Sequence, residues 1–211
     1  HSPHSSLSSM AGNTLLISPD LLANDGYISK QTLRRYKLPN KGKVNFKQAT
    51  QVKQALLDEA YAFFKTKKNQ KSFIAFCNNN KDWLHDFSCY QVIRRIHDHA
   101  PWYQWPDEFK YRNAAALQKI NDTYADDLQK EKWMQYVFFN QWQQLKNYCN
   151  ASGIKLFGDL PFYISYDSVD VWCHPEIFSL NRKMEMAVMA GVPPDYFNAD
   201  GQLWGMPVYA W

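Results

Sequence analysis

An abrupt change of pattern near residue 153 is the feature that most constrains the fold of this chain. Before it, apolar residues recur at helical spacing over about a hundred residues. After Asp159, five prolines and three glycines interrupt every regular pattern, which predicts loops up to Trp211. Between the two parts, the short apolar run Ile154–Gly158 directly follows a helix, as a parallel strand does in an α/β unit. Long loops in a compact domain usually carry function.

Helices are predicted in three stretches of the first part. One begins at Asn45 and has a single apolar stripe; the second spans about Asp82–Arg95, and the third about Glu108–Ala151. The stripe of the first consists of Val52, Leu56, Ala60 and Phe63. Short helices near the start are predicted from the caps Ser18, followed by Pro19, and Ser29, with Gly26 and Gly153 as helix ends.

The composition argues against several classes of protein. With 24 basic and 20 acidic residues, the net charge of +4 is too small and too dispersed to indicate a nucleic-acid partner. No apolar stretch approaches the roughly 20 residues of a membrane span. The four cysteines form no C-x-x-C pair, so free thiols in a reducing compartment are expected, and the cytoplasm is the expected location.

The two ends of the chain suggest a piece of a longer protein. It begins at His1 and not at Met, and it ends on the aromatic-rich Tyr209–Trp211 without a polar tail. Because natural termini are usually polar and frayed, we expect further chain beyond this sequence.

Candidate site residues lie in the proline-rich part. A carboxylate such as Asp159, directly after a barrel strand, would point into a catalytic mouth, although an Asp in that position can equally cap a helix or form a turn. Tyr196 and Phe197 follow Pro193 and Pro194, which stiffen the backbone. Such rings can cover the apolar face of a sugar, although packing beneath a loop is the more common role.

Gln202 and Trp204 form a second candidate pair. A glutamine offers both a donor and an acceptor to sugar hydroxyls, and a tryptophan offers a flat face and an N–H donor. The alternative role for Trp204 is again loop packing. The sequence contains no G-x-S-x-G elbow, P-loop or dinucleotide fingerprint.

Taken together, these segments closely resemble the amylomaltase family of 4-α-glucanotransferases. The motif Gly-Asp-Leu-Pro-Phe-Tyr-Ile-Ser-Tyr-Asp-Ser-Val-Asp-Val-Trp at 158–172 carries most of the resemblance. Further matching segments are Ser2–Pro3, Ser6–Ser8, Ala11–Asn13, Leu15–Ser18, Trp83–Leu84, Trp102–Pro106, Pro175–Phe178, Ala190–Phe197, Gly201–Gly205 and Pro207–Tyr209. The resemblance covers essentially the whole chain.

The resemblance implies an α/β fold, part of a (β/α)₈ TIM barrel with a large helical inserted subdomain. It divides the chain into an early barrel segment with an active-site loop at 1–19, the helical insertion at 20–110 and a barrel helix and strand at 111–161. An inserted loop subdomain over the glucan site follows at 162–211. A whole barrel needs about 250 residues before insertions, so only an early arc is expected here.

The resemblance also implies transfer of an α-1,4-glucan segment between maltooligosaccharides by a retaining double displacement, without metal or cofactor. Its nucleophile and acid/base would lie beyond Trp211, so no residue here is assigned as catalytic. Asp159 would line the site near the cleaved bond, and Gln202 and Trp204 would contact sugar rings. The loop carrying Asp195, Tyr196 and Phe197 would lie over the glucan.

The sequence departs from the family's pattern at three places. His4 and Ser5 stand where the family usually has Tyr-Gln, which puts the sugar contacts of the first loop in doubt; Thr14 replaces a common Pro and Asn198 a common Ser.

Two alternatives to a glucanotransferase remain open. One alternative is a non-catalytic glucan-binding fragment or degenerate relative. The other is a hydrolase of the same barrel clan.

Overall fold

The computed structural model describes residues 5–38 and 42–211 and is mainly helical. Its α-helices are α1 Pro19–Asn24, α2 Lys30–Arg35, α3 Phe46–Thr66, α4 Lys71–Asn79, α5 Lys81–Ile96, α6 Asp107–Lys110, α7 Ala114–Thr123, α8 Ala125–Ala151 and α9 Val169–Cys173. Short 3₁₀ helices are Thr14–Leu16, Trp102–Gln104 and Pro175–Ile177, and the strands are β1 Met189–Val192 and β2 Gln202–Pro207. None of the helices in 5–38 and 42–211 is long and apolar enough to cross a membrane.

The predicted caps are confirmed by their hydrogen bonds. The Ser18 side chain accepts a hydrogen bond from Leu21 N at the start of α1, and Ser29 does the same for Thr32 N in α2. Gly26 and Gly153 adopt φ of +72° and +73° just after α1 and α8. Because this region favours glycine, both helices end where the sequence indicates.

The predicted long helices are confirmed, with two differences. In α3, Leu56 and Ala60 are buried, but Phe63 is 46% exposed while Phe64 is buried. The buried stripe therefore lies one residue away from the predicted one at its C-terminal end. The stretch 108–151 is interrupted at 111–113 and at Tyr124, so it forms α6, α7 and α8 and not one helix.

Two predictions for the second part are wrong. Ile154–Gly158 is not a strand, because no described strand pairs with it; its side chains are exposed, Phe157 completely. The residues after Asp159 are not all loop, since they contain α9 and the antiparallel pair β1–β2. The prolines interrupt these elements less than expected, because Pro193 and Pro194 fall in the connection between the strands.

The chain forms two compact units, each assembled from separate stretches of sequence. The first unit comprises the described residues of His1–Ala11, Asp82–Leu128 and Phe157–Trp211, and the second those of Gly12–Lys81 and Gln129–Leu156. The range 20–110, expected as one helical subdomain, contributes to both units. The four-part division from the resemblance therefore stays a proposal.

Each unit has its own aromatic core. In the first, Tyr90, Trp105 and Trp172 are in contact, with ring centroids 5.2 to 5.8 Å apart. In the second, Trp133 is fully buried among Tyr27, Tyr61 and Phe64 at 5.6 to 5.7 Å. Tilted and edge-on contacts of this kind stabilise a core beyond the area they bury.

Candidate substrate-binding cavity

A cavity of about 480 Å³ in the first unit brings three of the six predicted site residues together. Its lining consists of Ser5, Asp159, Leu160, Pro161, Phe162, Tyr163, Gln202, Trp204 and Met206. Asp159, Gln202 and Trp204 are among them. Asp195, Tyr196 and Phe197 are not. Asp159 was predicted to lie at the end of a strand. It reaches the cavity instead from an irregular segment.

The β1–β2 pair positions Gln202 and Trp204. Gly191 pairs with Leu203, and a Cβ at Gly191 would lie 2.3 Å from the Gln202 carbonyl oxygen, so only glycine fits this close approach. Alternate residues of a strand share a face, which puts Gln202 and Trp204 on the same side. The Gln202 Oε1 accepts a hydrogen bond from Trp204 Nε1 at 3.1 Å.

Aromatic rings form the apolar side of the cavity. Tyr163 meets Trp204 nearly edge-on, with ring centroids 5.7 Å apart and an interplanar angle of 65°. Phe162 packs against Tyr163 at 5.1 Å and is itself 72% exposed. Trp204 remains 36% exposed. Its ring is therefore held by neighbours but keeps area for a ligand.

The loop between the strands holds the other three predicted residues. Asp195 shapes it, because its Oδ1 accepts hydrogen bonds from the backbone N–H groups of Phe197 at 2.9 Å and Asn198 at 2.8 Å. Tyr196 and Phe197 are 97% and 91% exposed and contact each other at 90°. Loop packing, the alternative role for these rings, is absent from the described structure.

The segment that supplies Ser5 is fixed to the start of α9. Asp170 accepts two hydrogen bonds from Ser9, from the backbone N at 2.9 Å and from Oγ at 2.5 Å. The Val169 N–H also donates to the Leu7 carbonyl at 2.9 Å. Sequence reasoning missed Asp170, since its partner lies 161 residues away. His4 lies outside the described residues.

A second carboxylate, Asp167, ties together the core of the first unit. It accepts hydrogen bonds from Tyr90 Oη at 2.6 Å and the Trp102 backbone N at 3.3 Å, and Arg94 lies 3.2 Å away. Burial and the Asp167 charge raise the pKa of Tyr90 far above its usual value. Tyr90 therefore stays a neutral donor at all physiological pH values.

The chemistry of the cavity suits a neutral, polyhydroxylated ligand. Asp159 offers a carboxylate acceptor and Gln202 an amide, while Trp204 and Tyr163 offer flat apolar surfaces. In the described ranges, no three His, Cys, Asp or Glu side chains cluster as a metal site would require. The cavity lining contains one carboxylate, whereas hydrolysis or transfer of a glycosidic bond uses a pair.

The family of the chain follows from its match to the family model described as 4-alpha-glucanotransferase, which covers residues 1–211. The chain belongs to the 4-alpha-glucanotransferase family. The resemblance found in the sequence is thereby confirmed.

Individual members of this family align along the whole chain. It is 39% identical to a 4-alpha-glucanotransferase of Synechocystis and 36% identical to one of Aquifex aeolicus, covering 100% of this chain and 43% and 42% of those proteins. Amylomaltase from Streptococcus agalactiae, solved in complex with acarbose, is similar in structure with a TM-score of 0.93 at 34% identity. That match covers 100% of this chain and 43% of the other. The chain thus spans about two fifths of the length of these relatives.

Proposed function

We propose that the whole protein is a 4-alpha-glucanotransferase and that the cavity around Trp204 binds part of its α-1,4-glucan. The observation that supports this most directly is the combination of family membership with a cavity where Asp159, Gln202 and Trp204 meet. Trp204 and Tyr163 would stack on the apolar faces of glucose rings. Asp159 and Gln202 would hydrogen-bond hydroxyl groups.

The exposed loop of Asp195, Tyr196 and Phe197 would complete this site when glucan is bound. Its rings are exposed before binding, and the Asp195 turn with the two prolines reduces the freedom that binding must remove. The rings would cover a sugar chain lying in the cavity. The binding of acarbose by the Streptococcus relative supports an α-glucan as the ligand class.

The reaction proposed is a retaining double displacement, which transfers a glucan segment to the 4-hydroxyl of another glucan. The nucleophile and the acid/base would come from residues beyond position 211 of the whole protein, and neither a metal nor a cofactor takes part. The fold proposed for the whole protein is a (β/α)₈ barrel. The exposed apolar side chains of Ile154, Leu156 and Phe157 support this fold, because added barrel strands would cover them.

None of the four cysteines forms a disulfide among the described residues, which supports a reducing compartment, and we place the whole protein in the cytoplasm. Nucleic acids and membranes are not among its proposed partners. The partners are maltooligosaccharides and longer α-1,4-glucans.

The test is to incubate the full-length protein with maltotriose and to analyse the products. Glucose and longer maltodextrins should form while the number of reducing ends stays nearly constant. A steady increase in reducing ends would identify a hydrolase. Glucan binding without any product would identify a non-catalytic relative, for which the single carboxylate of the cavity lining is the favouring observation.

The contribution of the cavity is tested by Trp204→Ala in the same assay. Losing the stacking ring should raise KM for maltotriose about tenfold, as expected for roughly 1.4 kcal/mol of lost contact. Trp142→Ala is the matched control, because Trp142 is 42% exposed, close to the 36% of Trp204, and lies in the second unit. An unchanged KM in Trp204→Ala would contradict the assignment of the cavity.

A further inference from the structure

A second pocket of the first unit, here called the tyrosine pocket, has no role in the proposed reaction. It has a volume of about 440 Å³. Its lining consists of Tyr103, Lys110, Tyr166, Glu185, Met186, Ala187, Val188 and Met189, none of which lines the cavity around Trp204. The two are therefore separate.

The aromatic wall of the tyrosine pocket is a stacked pair. Tyr103 and Tyr166 lie 4.5 Å apart between ring centroids and only 11° from parallel. Trp102 meets both rings edge-on, at 5.8 and 5.4 Å, and its Nε1 donates to the Tyr166 carbonyl at 2.6 Å. The Tyr166 hydroxyl donates to the Met184 carbonyl. The pair is thus fixed before any ligand arrives, which lowers the cost of binding.

The polar wall offers both donors and acceptors. Lys110 is half-buried and supplies an ammonium donor, and the exposed Glu185 supplies a carboxylate. Burial and the charge of Asp167 raise the pKa of Tyr103, and burial, Tyr103 and Glu185 raise that of Tyr166 to about 12. Both phenols therefore stay neutral. One cation and one anion around flat apolar rings suit a neutral hydroxylated ring better than a phosphate or a quaternary ammonium ion.

The position of the tyrosine pocket points to the same ligand class as the first cavity. Met189 of this pocket pairs with Pro207, and Gly191, two residues further along β1, pairs with Leu203 between Gln202 and Trp204. Both sites thus lie along one two-stranded ribbon. We infer that the tyrosine pocket is a second binding site for α-1,4-glucan, separate from the site of transfer. The ligand class, although not the site, rests on the proposed function.

The experiment is native electrophoresis of the full-length Trp204→Ala protein in gels containing soluble starch, because this variant lacks the stacking ring of the first cavity and leaves the tyrosine pocket intact. Starch should still retard this protein, and adding Tyr103→Ala to it should weaken the apparent starch affinity about fivefold. Glu185→Ala should weaken it in the same direction, and because Glu185 is exposed, this variant tests the site without disturbing the core. Tyr148→Ala, at an exposed tyrosine of the second unit, is the control and should leave the retardation of the Trp204→Ala protein unchanged.

Maltotriose turnover separates this proposal from the proposed function. Tyr103→Ala and Glu185→Ala should keep wild-type turnover, whereas Trp204→Ala should not. Absence of starch retardation in the Trp204→Ala protein, or retardation that is undiminished when either pocket substitution is added to it, would overturn the second site. A full-length protein that leaves maltotriose unchanged would refute the transferase, and retardation dependent on Tyr103 would still support the pocket.

Discussion

At the scale of single residues, Asp170 is the side chain that fixes the Ser5 segment beside the cavity. Both of its carboxylate oxygens accept hydrogen bonds from Ser9. Hydrogen bonds to a charged group stabilise more than neutral ones, but Ser9 is exposed, so we expect about 1 kcal/mol from the pair. Asp170→Ala in the full-length protein should therefore raise KM for maltotriose about fivefold and leave kcat nearly unchanged.

Ser9→Ala is the partial control for this prediction. It removes the 2.5 Å bond from Oγ but keeps the backbone bond to Asp170, so its KM should lie between those of the wild type and Asp170→Ala. A fall in kcat at unchanged KM would contradict a positioning role for Asp170.

Residues whose partners are near in sequence were predictable, and those with distant partners were not. Ser18 and Ser29 cap helices three residues away, and Gly153 ends α8 through its own backbone conformation, so local patterns were sufficient. Asp167 and Asp170 looked like ordinary polar residues of a loop. Their partners Tyr90 and Ser9 lie 77 and 161 residues away, and single-sequence patterns carry no information at that range.

At the scale of secondary structure, α8 holds the segment around Gly12 through a buried glutamine. Gln135 is fully buried; its Oε1 accepts from Gly12 N at 2.8 Å and its Nε2 donates to Gly12 O at 3.0 Å. Gln135→Met keeps the volume but leaves both backbone groups unpaired. We expect a loss of about 2 kcal/mol in the free energy of unfolding, measured by urea denaturation.

Gln143→Met is the matched control on the same helix. Gln143 is exposed, and among the described residues its side chain hydrogen-bonds only Asn147, at 2.7 Å. Its replacement should therefore lower the free energy of unfolding by less than about 0.5 kcal/mol. Equal losses for the two variants would show that Gln135 contributes through helix propensity and not through the segment it holds.

The helices were easier to predict than the strands for a physical reason. A helix such as α5 satisfies its hydrogen bonds within its own sequence, so its period is visible there. A strand depends on a partner that the sequence does not reveal. Ile154–Gly158 has the composition of a strand but no described partner, whereas β1 and β2 have one despite their glycines. The available signal was the Asp200–Gly201 pair, which ends the connection between the two strands.

At the scale of the whole molecule, the order of residues did not predict how they are grouped. The range 20–110 was expected to form one insertion, yet its helices contribute to two compact units with separate cores. The candidate cavity shows the same effect, because Ser5 and Trp204 line one space from opposite ends of the chain. Of the three predicted site residues that line the cavity, Gln202 and Trp204 share a strand face, as their spacing of two allows, whereas Asp159 comes from an irregular segment.

The two cores lead to a prediction about local stability. Leu57 is 2% exposed in the core of the second unit, and Ile93 is 0% exposed in that of the first. Truncating either to alanine should leave a cavity and cost about 2–5 kcal/mol. Because each buried cluster lies within one unit, we expect Leu57→Ala to reduce amide hydrogen-exchange protection mainly in 12–81 and 129–156. Ile93→Ala should reduce protection mainly in 82–128 and 157–211; equal loss across both units in either full-length variant would mean that the two cores unfold together.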